Sequence, residues 1–449
     1  MLTLLPLAIL ILIALVLIAF YLWRPRLGVI WFFSALASLL VWAIILTLRI
    51  RLPESFSLGA NQSLISFSFL TNFSLNQTSW PFSLSLTACL VGMVFTSLSQ
   101  PTPEDHTATR WPIWPVALIL CALGLWSIFA GNINTLLLAW AAFDLSWLAM
   151  MLLTRKSGFA ALFPLAIRMA GLFLIVGASF TRPPGVTINL PPINLQTNTL
   201  LFGGALLRLG SITPVVFTNR TTSQRKFIYY YSDLLIAATA LAIISQCARV
   251  GLLPSITKFA GMIGLVFAIV NSFLWLLFAR QLDAHRYWLL GCSGLAVVAC
   301  ASQLEEASQA LGTAGVLLGS LIVFSRRQQP QLRPIFVISG LGILSLPFTP
   351  AWQAASLYPE PNLAFSTSPA WIVILVAHVF LVAGFLLIIF HSWPPLNGLA
   401  PWLALVYSTG LVILPLSHWL VLIFGSPGIS NALQAFPSLG SGWAGIAVF

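Results

Sequence analysis

Apolar stretches of about 20 residues follow one another along most of the chain. Each is long enough to cross the roughly 30 Å hydrocarbon core of a bilayer as an α-helix. They do not alternate between apolar and polar residues, as the strands of a membrane barrel would. Only 6% of the 449 residues are charged and 59% are hydrophobic, so a soluble fold could not keep such a surface hydrated. The sequence therefore predicts an all-α, polytopic membrane protein.

Thirteen or fourteen spans can be placed, depending on two stretches that proline interrupts. The stretch from 197 contains Pro214, and the stretch from 335 contains Pro347 and Pro350. The N-terminal stretch is too long for a signal peptide and lacks a small-residue cleavage site, so we assign it as the first span. The predicted spans are 2–23, 28–48, 82–99, 113–130, 133–153, 159–180, 197–218, 231–248, 259–279, 287–303, 307–325, 335–350, 369–390 and 398–424.

The distribution of basic residues favours fourteen spans. Thirteen of the 20 lysines and arginines fall in every second loop, counted from the loop after the first span, and five fall in the opposite loops. The other two, Arg168 and Arg208, lie inside spans. Because cytoplasmic loops carry the excess of positive charge, we expect an even number of spans with both termini outside. The net charge of +11 comes from these loops, and no nucleic-acid-binding surface is predicted.

The two interrupted spans are five spans apart, which suggests two five-helix repeats. Because five is odd, such repeats are inverted in the membrane, and matching broken helices mark the transport path in many transporters. Residues 52–80 alternate between polar and apolar positions and predict an external hairpin. We expect residues 1–110 to form the N-terminal spans with this hairpin and residues 111–250 to form the first repeat. Residues 251–368 should form helices 9–12 of the second repeat, and residues 369–449 should form the C-terminal helices with the tail.

Three charged residues lie within apolar spans, namely Asp144, Arg168 and Arg208. A charge at that depth costs roughly 2.5–3.5 kcal/mol on insertion scales, so such residues are usually paired or line a polar path. We therefore expect Asp144 to lie within salt-bridge reach of Arg208 or Arg168. His378 and His418 lie in late spans, where they could relay protons or simply be satisfied by packing and hydrogen bonds.

The remaining chemical groups predict neither a metal site nor a redox cofactor. The five cysteines lie in apolar runs without the spacing of metal ligands, so they are expected to be packing residues. No GxGxxG sequence follows a predicted strand, and no cysteine cluster is present. We therefore expect no catalytic residue in the chain taken alone.

Four segments resemble, in order, motifs of the antiporter-like membrane subunits of proton-pumping NADH:quinone oxidoreductase (respiratory complex I). Related subunits occur in Mrp-type antiporters and membrane hydrogenases. The segments are NINTLLLAW at 132–140, LRLGSITP at 207–214, DAHR and LLGCS within 283–293, and GILSLPFTPAW at 342–352. The resemblance extends over about 110–357. It implies fourteen spans, two inverted five-helix repeats, and broken helices 7 and 12.

The chain departs from this family at the buried ionisable positions. The family's glutamate on helix 5 is replaced by Ala141, with Asp144 one turn further on. That aspartate either replaces the glutamate or only pairs with a neighbouring cation. The family's lysine on helix 7 corresponds to Arg208, or to Leu209 if the proline is taken as the anchor. The lysine of helix 8 falls near Leu241, and helices 11 and 12 also lack the family's ionisable residues.

The resemblance implies a divergent membrane-arm subunit of a complex I-like NADH- or ferredoxin:quinone oxidoreductase. Such a subunit would lie in the lipid bilayer of a bacterial cytoplasmic membrane, among other membrane subunits, and would either help to translocate protons or be largely structural. Because arginine keeps its proton at physiological pH, an Asp144–Arg208 pair would be a fixed salt bridge rather than a proton relay. The alternative is a stand-alone secondary transporter in which Arg168 and Arg208 bind an anion or a lipid.

Overall fold

Helices account for nearly all of the described chain. The computed structural model describes residues 2–23, 27–57, 72–98, 113–153, 158–181, 190, 194–212, 223–325, 332–359, 370–390 and 401–425. The helices are α1 (Leu5–Trp23), α2 (Leu27–Leu48), α3 (Ser79–Ser97), α4 (Ile113–Ile128), α5 (Ile133–Leu153), α6 (Gly158–Phe180), α7 (Leu195–Gly210), α8 (Ser223–Val250), α9 (Pro254–Phe278), α10 (His285–Ala301), α11 (Glu305–Phe324), α12 (Arg333–Ile343), α13 (Ala370–Ile389) and α14 (Pro401–Gly425). The strands are β1 (Glu54–Ser57) and β2 (Asn72–Leu75).

The predicted all-α, polytopic membrane fold is confirmed. Ten of the described helices are long and apolar enough to cross a membrane, and α4 and α12 are shorter apolar helices. Each of the fourteen helices overlaps one predicted span. α8 begins at Ser223 rather than at 231, because its polar first turns continue the helix beyond the apolar stretch.

Two helices, α7 and α12, are shorter than the apolar stretches that contain them. α7 ends at Gly210, before Pro214, which lies outside the described residues. α12 ends at Ile343, and the turns that follow contain Pro347 and Pro350. Proline has no amide donor and clashes with the preceding turn, which favours the end of a helix, although α6 and α14 each continue through one proline, Pro164 and Pro415. The two shortened helices hold the same place in the sets α4–α8 and α9–α13.

The small sheet is attached to the turn between α4 and α5. β1 pairs antiparallel with β2, within the segment for which a hairpin is predicted. The amide of Ser74 donates to the carbonyl of Phe129 at 2.8 Å, and the amide of Gly131 donates to the carbonyl of Asn72 at 2.7 Å. The amide of Asn72 also donates to Oγ1 of Thr135, in the first turn of α5, at 3.3 Å. The sheet therefore fixes the beginning of α5.

The buried centre of the bundle is formed by α3, α8 and α11. These three helices are buried along nearly their whole length, and α8 packs against α3, α4, α7, α10 and α11. By contrast, α1, α6 and α9 keep large apolar side chains exposed along one face, including Leu12, Phe173 and Val266. Such faces suit lipid, because apolar side chains lose nothing by contact with acyl chains.

Two glycines allow α6 and α7 to approach closely. A β-carbon built at Gly171 would lie 2.8 Å from the carbonyl oxygen of Gly204, and one built at Gly204 would lie 2.9 Å from that of Gly171. Small residues at a helix interface allow this kind of backbone contact in membranes. Arg168 lies one turn before Gly171, and Arg208 lies one turn after Gly204, so the contact brings the two arginines to the same region.

We predict that Gly171→Ala destabilises the protein, whereas Gly177→Ala on the same helix does not. The methyl group at 171 would press on the backbone of α7, and overpacking of this kind costs about 1–3 kcal/mol. Nothing lies within 4 Å of a β-carbon at Gly177, and alanine favours a helix by about 1 kcal/mol over glycine. Thermal unfolding of both variants in one detergent measures the difference, and equal stabilities would contradict the close contact.

Candidate functional site

Asp144, Arg168 and Arg208 come from three successive helices and meet inside the first repeat. Asp144 lies near the middle of α5, Arg168 lies near the middle of α6, and Arg208 lies in the last turn of α7. None of the three is more than 1% exposed. We call these three residues the charge cluster.

The Asp144 carboxylate binds both arginines of the charge cluster. Nη1 of Arg168 lies 3.1 Å from Oδ1 of Asp144, and Nη1 of Arg208 lies 3.0 Å from Oδ2. The predicted ion pair is therefore confirmed. It differs from the expectation in one respect, because a single carboxylate serves two cations.

Aromatic rings cover the guanidinium groups. Cζ of Arg168 lies 3.8 Å from the ring centroid of Trp147. Cζ of Arg208 lies 4.5 Å from the centroid of Trp140 and 5.2 Å from that of Phe143. Cation–π contacts are strongest where the cation is desolvated, so these rings help to stabilise both charges in the interior.

The aromatic partners were not predicted as site residues, although the sequence contains a signal for them. Trp140, Asp144 and Trp147 follow one another at intervals of four and three residues, which places all three on one face of α5. Nε1 of Trp147 also donates to Oγ of Ser232 on α8 at 3.3 Å. The ring of Trp147 therefore connects the charge cluster to the central helix.

The break in α7 places a helix end beside the charge cluster. The amide of Ser211 donates to the carbonyl of Leu207 at 3.1 Å, and its hydroxyl donates to the carbonyl of Arg208 at 2.7 Å. The last carbonyls of a helix carry partial negative charge, which favours a cation in the last turn. A continuous helix 7 would not offer Arg208 this interaction.

Several guanidinium nitrogens of the charge cluster have no hydrogen-bond partner among the described residues. They are Nη2 of Arg168 and both Nε and Nη2 of Arg208. Nε of Arg168 donates to the carbonyl of Pro164 at 3.4 Å, which is a long contact. With one carboxylate and two arginines, the charge cluster carries a net charge of +1.

His378 lies at the other helix break, in the second repeat. Its Nε2 donates to the carbonyl of Ile343, the last residue of α12, at 2.9 Å. Its Nδ1 contacts the hydroxyl of Tyr358, which also lies 3.1 Å from Oγ of Ser345. This histidine, on α13, thus satisfies a carbonyl at the open end of α12.

His418, on α14, approaches the same helix end from another side. A β-carbon built at Gly342 would lie 2.8 Å from Nδ1 of His418. The ring is buried, and neither of its nitrogens has a hydrogen-bond partner among the described residues. The structure therefore brings the three predicted charges together in the first repeat and places both predicted histidines beside α12.

A second ion pair, which the sequence did not reveal, joins the two repeats. Nε and Nη2 of Arg286, on α10, both lie 2.9 Å from Oδ2 of Asp233, on α8. Next to this pair, the hydroxyl of Tyr230 donates to Asp283, and the ring of Tyr230 packs against His285 with centroids 4.5 Å apart. The predicted spans place Arg286 in a loop, whereas its side chain is only 4% exposed.

The described residues contain no group of three His, Cys, Asp or Glu side chains that could hold a metal ion. The five cysteines are buried and free. The described interior holds two arginines on one carboxylate in the first repeat, and two buried histidines at the helix break of the second.

Solved structures with this fold include chains of respiratory and Mrp complexes. A chain of the membrane-bound sulfane sulfur reductase, an archaeal respiratory membrane complex, matches with a TM-score of 0.67 and 17% identity, over 96% of this chain and 78% of that chain. A chain of respiratory complex I from Thermus thermophilus with bound NADH matches with a TM-score of 0.66 and 15% identity, over 100% of this chain and 99% of that chain.

A longer chain, from the Mrp complex of Dietzia sp., matches with a TM-score of 0.69 and 13% identity, over 99% of this chain and 55% of that chain. The chain has the fold of antiporter-like membrane subunits. At these identities the similarity concerns the fold alone. No protein-family model and no curated protein matches the sequence.

We predict that Asp144→Asn strongly destabilises the protein, because it leaves two buried guanidinium groups without a carboxylate. Breaking a buried pair in this way costs about 3–5 kcal/mol. Asp283→Asn is the matched control, since Asp283 is exposed and its loss should cost less than about 1 kcal/mol. Unfolding of the purified variants measures both effects. A fully stable Asp144→Asn protein would show that the charge cluster does not support the fold.

Proposed function

We propose that this chain is a divergent membrane-arm subunit of a complex I-like respiratory assembly. The assembly as a whole would oxidise NADH or ferredoxin and reduce quinone. In that role the chain packs against other membrane subunits within the bilayer. Its charge cluster joins α5, α6 and α7 and does not pass protons. The shared fold with chains of respiratory complexes supports the first part of the proposal, and the chemistry of the charge cluster supports the second.

The observation that carries the structural role is the pairing of both carboxylate oxygens of Asp144 with arginines. A proton relay needs a group that gains and loses a proton during turnover. Arginine does not lose its proton at physiological pH. In this arrangement the two cations that hold the carboxylate keep their protons.

The test is proton uptake by vesicles that contain the assembled complex. We expect Arg208→Lys, Arg208→Gln and Asp144→Asn to change how much subunit is assembled, but not the rate of proton uptake per assembled complex. Subunit content is measured on the same vesicles, and Arg249→Gln, an exposed substitution at the end of α8, serves as the control. Normal assembly of Asp144→Asn together with a clear loss of proton uptake would make the chain an active proton channel.

The alternative, a stand-alone carrier that binds an anion at Arg168 and Arg208, makes a different prediction about purification. A membrane-arm subunit should co-purify in mild detergent with other membrane proteins in fixed proportion. A carrier should instead purify alone and take up a labelled anion after reconstitution into liposomes. Uptake by the isolated chain, lost in Arg208→Gln, would favour the carrier.

We also propose that the chain lies in a bacterial cytoplasmic membrane with both termini outside, as the loop charges indicate. The two ends of α9 allow a direct test, because the native cysteines are buried and should give little background. Ser255→Cys and Gln281→Cys place exposed thiols at opposite ends of this helix. A membrane-impermeant thiol reagent should label the first in intact cells and the second only after lysis. The reverse pattern would invert the topology.

A further inference from the structure

The charge cluster lacks one negative charge. Two arginines share one carboxylate, and none of the three side chains is more than 1% exposed. A buried charge without a counter-charge is strongly destabilising, and arginine cannot relieve this cost by releasing its proton. A further anionic group beside the arginines would remove the imbalance.

No described residue supplies that group. Between Asp105 and Asp233 the sequence contains a single acidic residue, Asp144. The carboxylate of Asp233 is bound to Arg286 on α10. A carboxylate or a lipid phosphate from outside cannot reach side chains that are buried to this degree without moving the helices.

The arginines also keep donors that no described residue uses. Each guanidinium group donates a hydrogen bond from its Nη1 to Asp144. Nη2 of Arg168 and both Nε and Nη2 of Arg208 have no partner among the described residues. Because the two Nη1 atoms bind the two oxygens of one carboxylate, both guanidinium groups lie beside Asp144. Buried donors without a partner are costly, and a ligand or water normally satisfies them.

We infer that the charge cluster binds one small monovalent anion, of the halide class, as a resident counter-ion between Arg168 and Arg208. A monovalent anion brings the net charge from +1 to zero and accepts the free N–H groups. A divalent anion such as sulfate would leave an excess negative charge. The packing of Trp147 at 3.8 Å and Trp140 at 4.5 Å from the guanidinium carbons also favours a small ion. The inference does not depend on the membrane-arm role.

The test is thermal unfolding of the full-length chain in detergent, in sodium chloride, bromide, gluconate and sulfate at equal ionic strength. An anion that binds only the folded protein raises the unfolding temperature in a saturable manner. We expect chloride and bromide to raise it by about 2 °C or more relative to gluconate, and sulfate to have no such effect. Equal unfolding temperatures in chloride and gluconate, or an equal rise in sulfate, would overturn the inference.

Variants of the charge cluster should change the halide effect in opposite directions. Arg208→Gln brings the net charge to zero while Arg168 still pairs with Asp144, so the halide effect should disappear. Asp144→Asn brings the net charge to +2, so the effect should become larger and saturate at lower chloride. Arg249→Gln should behave like the wild type, because Arg249 is exposed.

A purely structural role of these residues would not produce opposite changes in anion dependence. If Arg208→Gln does not fold, Arg168→Gln makes the same change of net charge. If neither folds, the comparison of Asp144→Asn with the wild type decides. An unchanged halide effect in Asp144→Asn, or a full effect in either glutamine variant, would contradict the inference.

Discussion

A charge in a low-dielectric interior has to be balanced by groups placed around it, and this requirement organises the first repeat. Asp144 joins α5 to α6 and α7 through its two arginines. The close approach of Gly171 and Gly204 allows α6 and α7 to present those arginines to one carboxylate. The early end of α7 adds a favourable helix terminus beside Arg208. The close packing of α6 against α7 and the early end of α7 thus both favour the placement of the two arginines beside Asp144.

The sequence predicted the helices well because bilayer thickness imposes a minimum length on every apolar stretch. The sequence was less informative where a helix and its apolar stretch do not end at the same residue. At α8 the polar residues from Ser223 extend the helix beyond the apolar stretch. At α12 the apolar stretch continues past Ile343, whereas the helix does not, because Pro347 and Pro350 follow.

The three charges of the site could be predicted because each stands alone in an apolar span. Their two-to-one pairing could not, since it depends on how α6 and α7 approach each other. The partner residue Trp147 was missed despite its helical spacing from Asp144, because tryptophan is common in membrane spans and carries no charge. The Asp233–Arg286 pair was missed for another reason. The position of an arginine between two spans does not show whether its side chain is exposed or buried.

The sheet beside the α4–α5 turn has a mechanical consequence for the site. β2 binds this turn through backbone hydrogen bonds, and its Asn72 reaches the first turn of α5 at Thr135. Nine residues, about 13 Å of helix, separate Thr135 from Asp144. Sliding of α5 along its own axis would break these hydrogen bonds or carry the sheet with it, whereas a tilt about Thr135 would leave them in place. In such a tilt, a push from a neighbouring protein would move Leu153 the most and Asp144 by an intermediate distance.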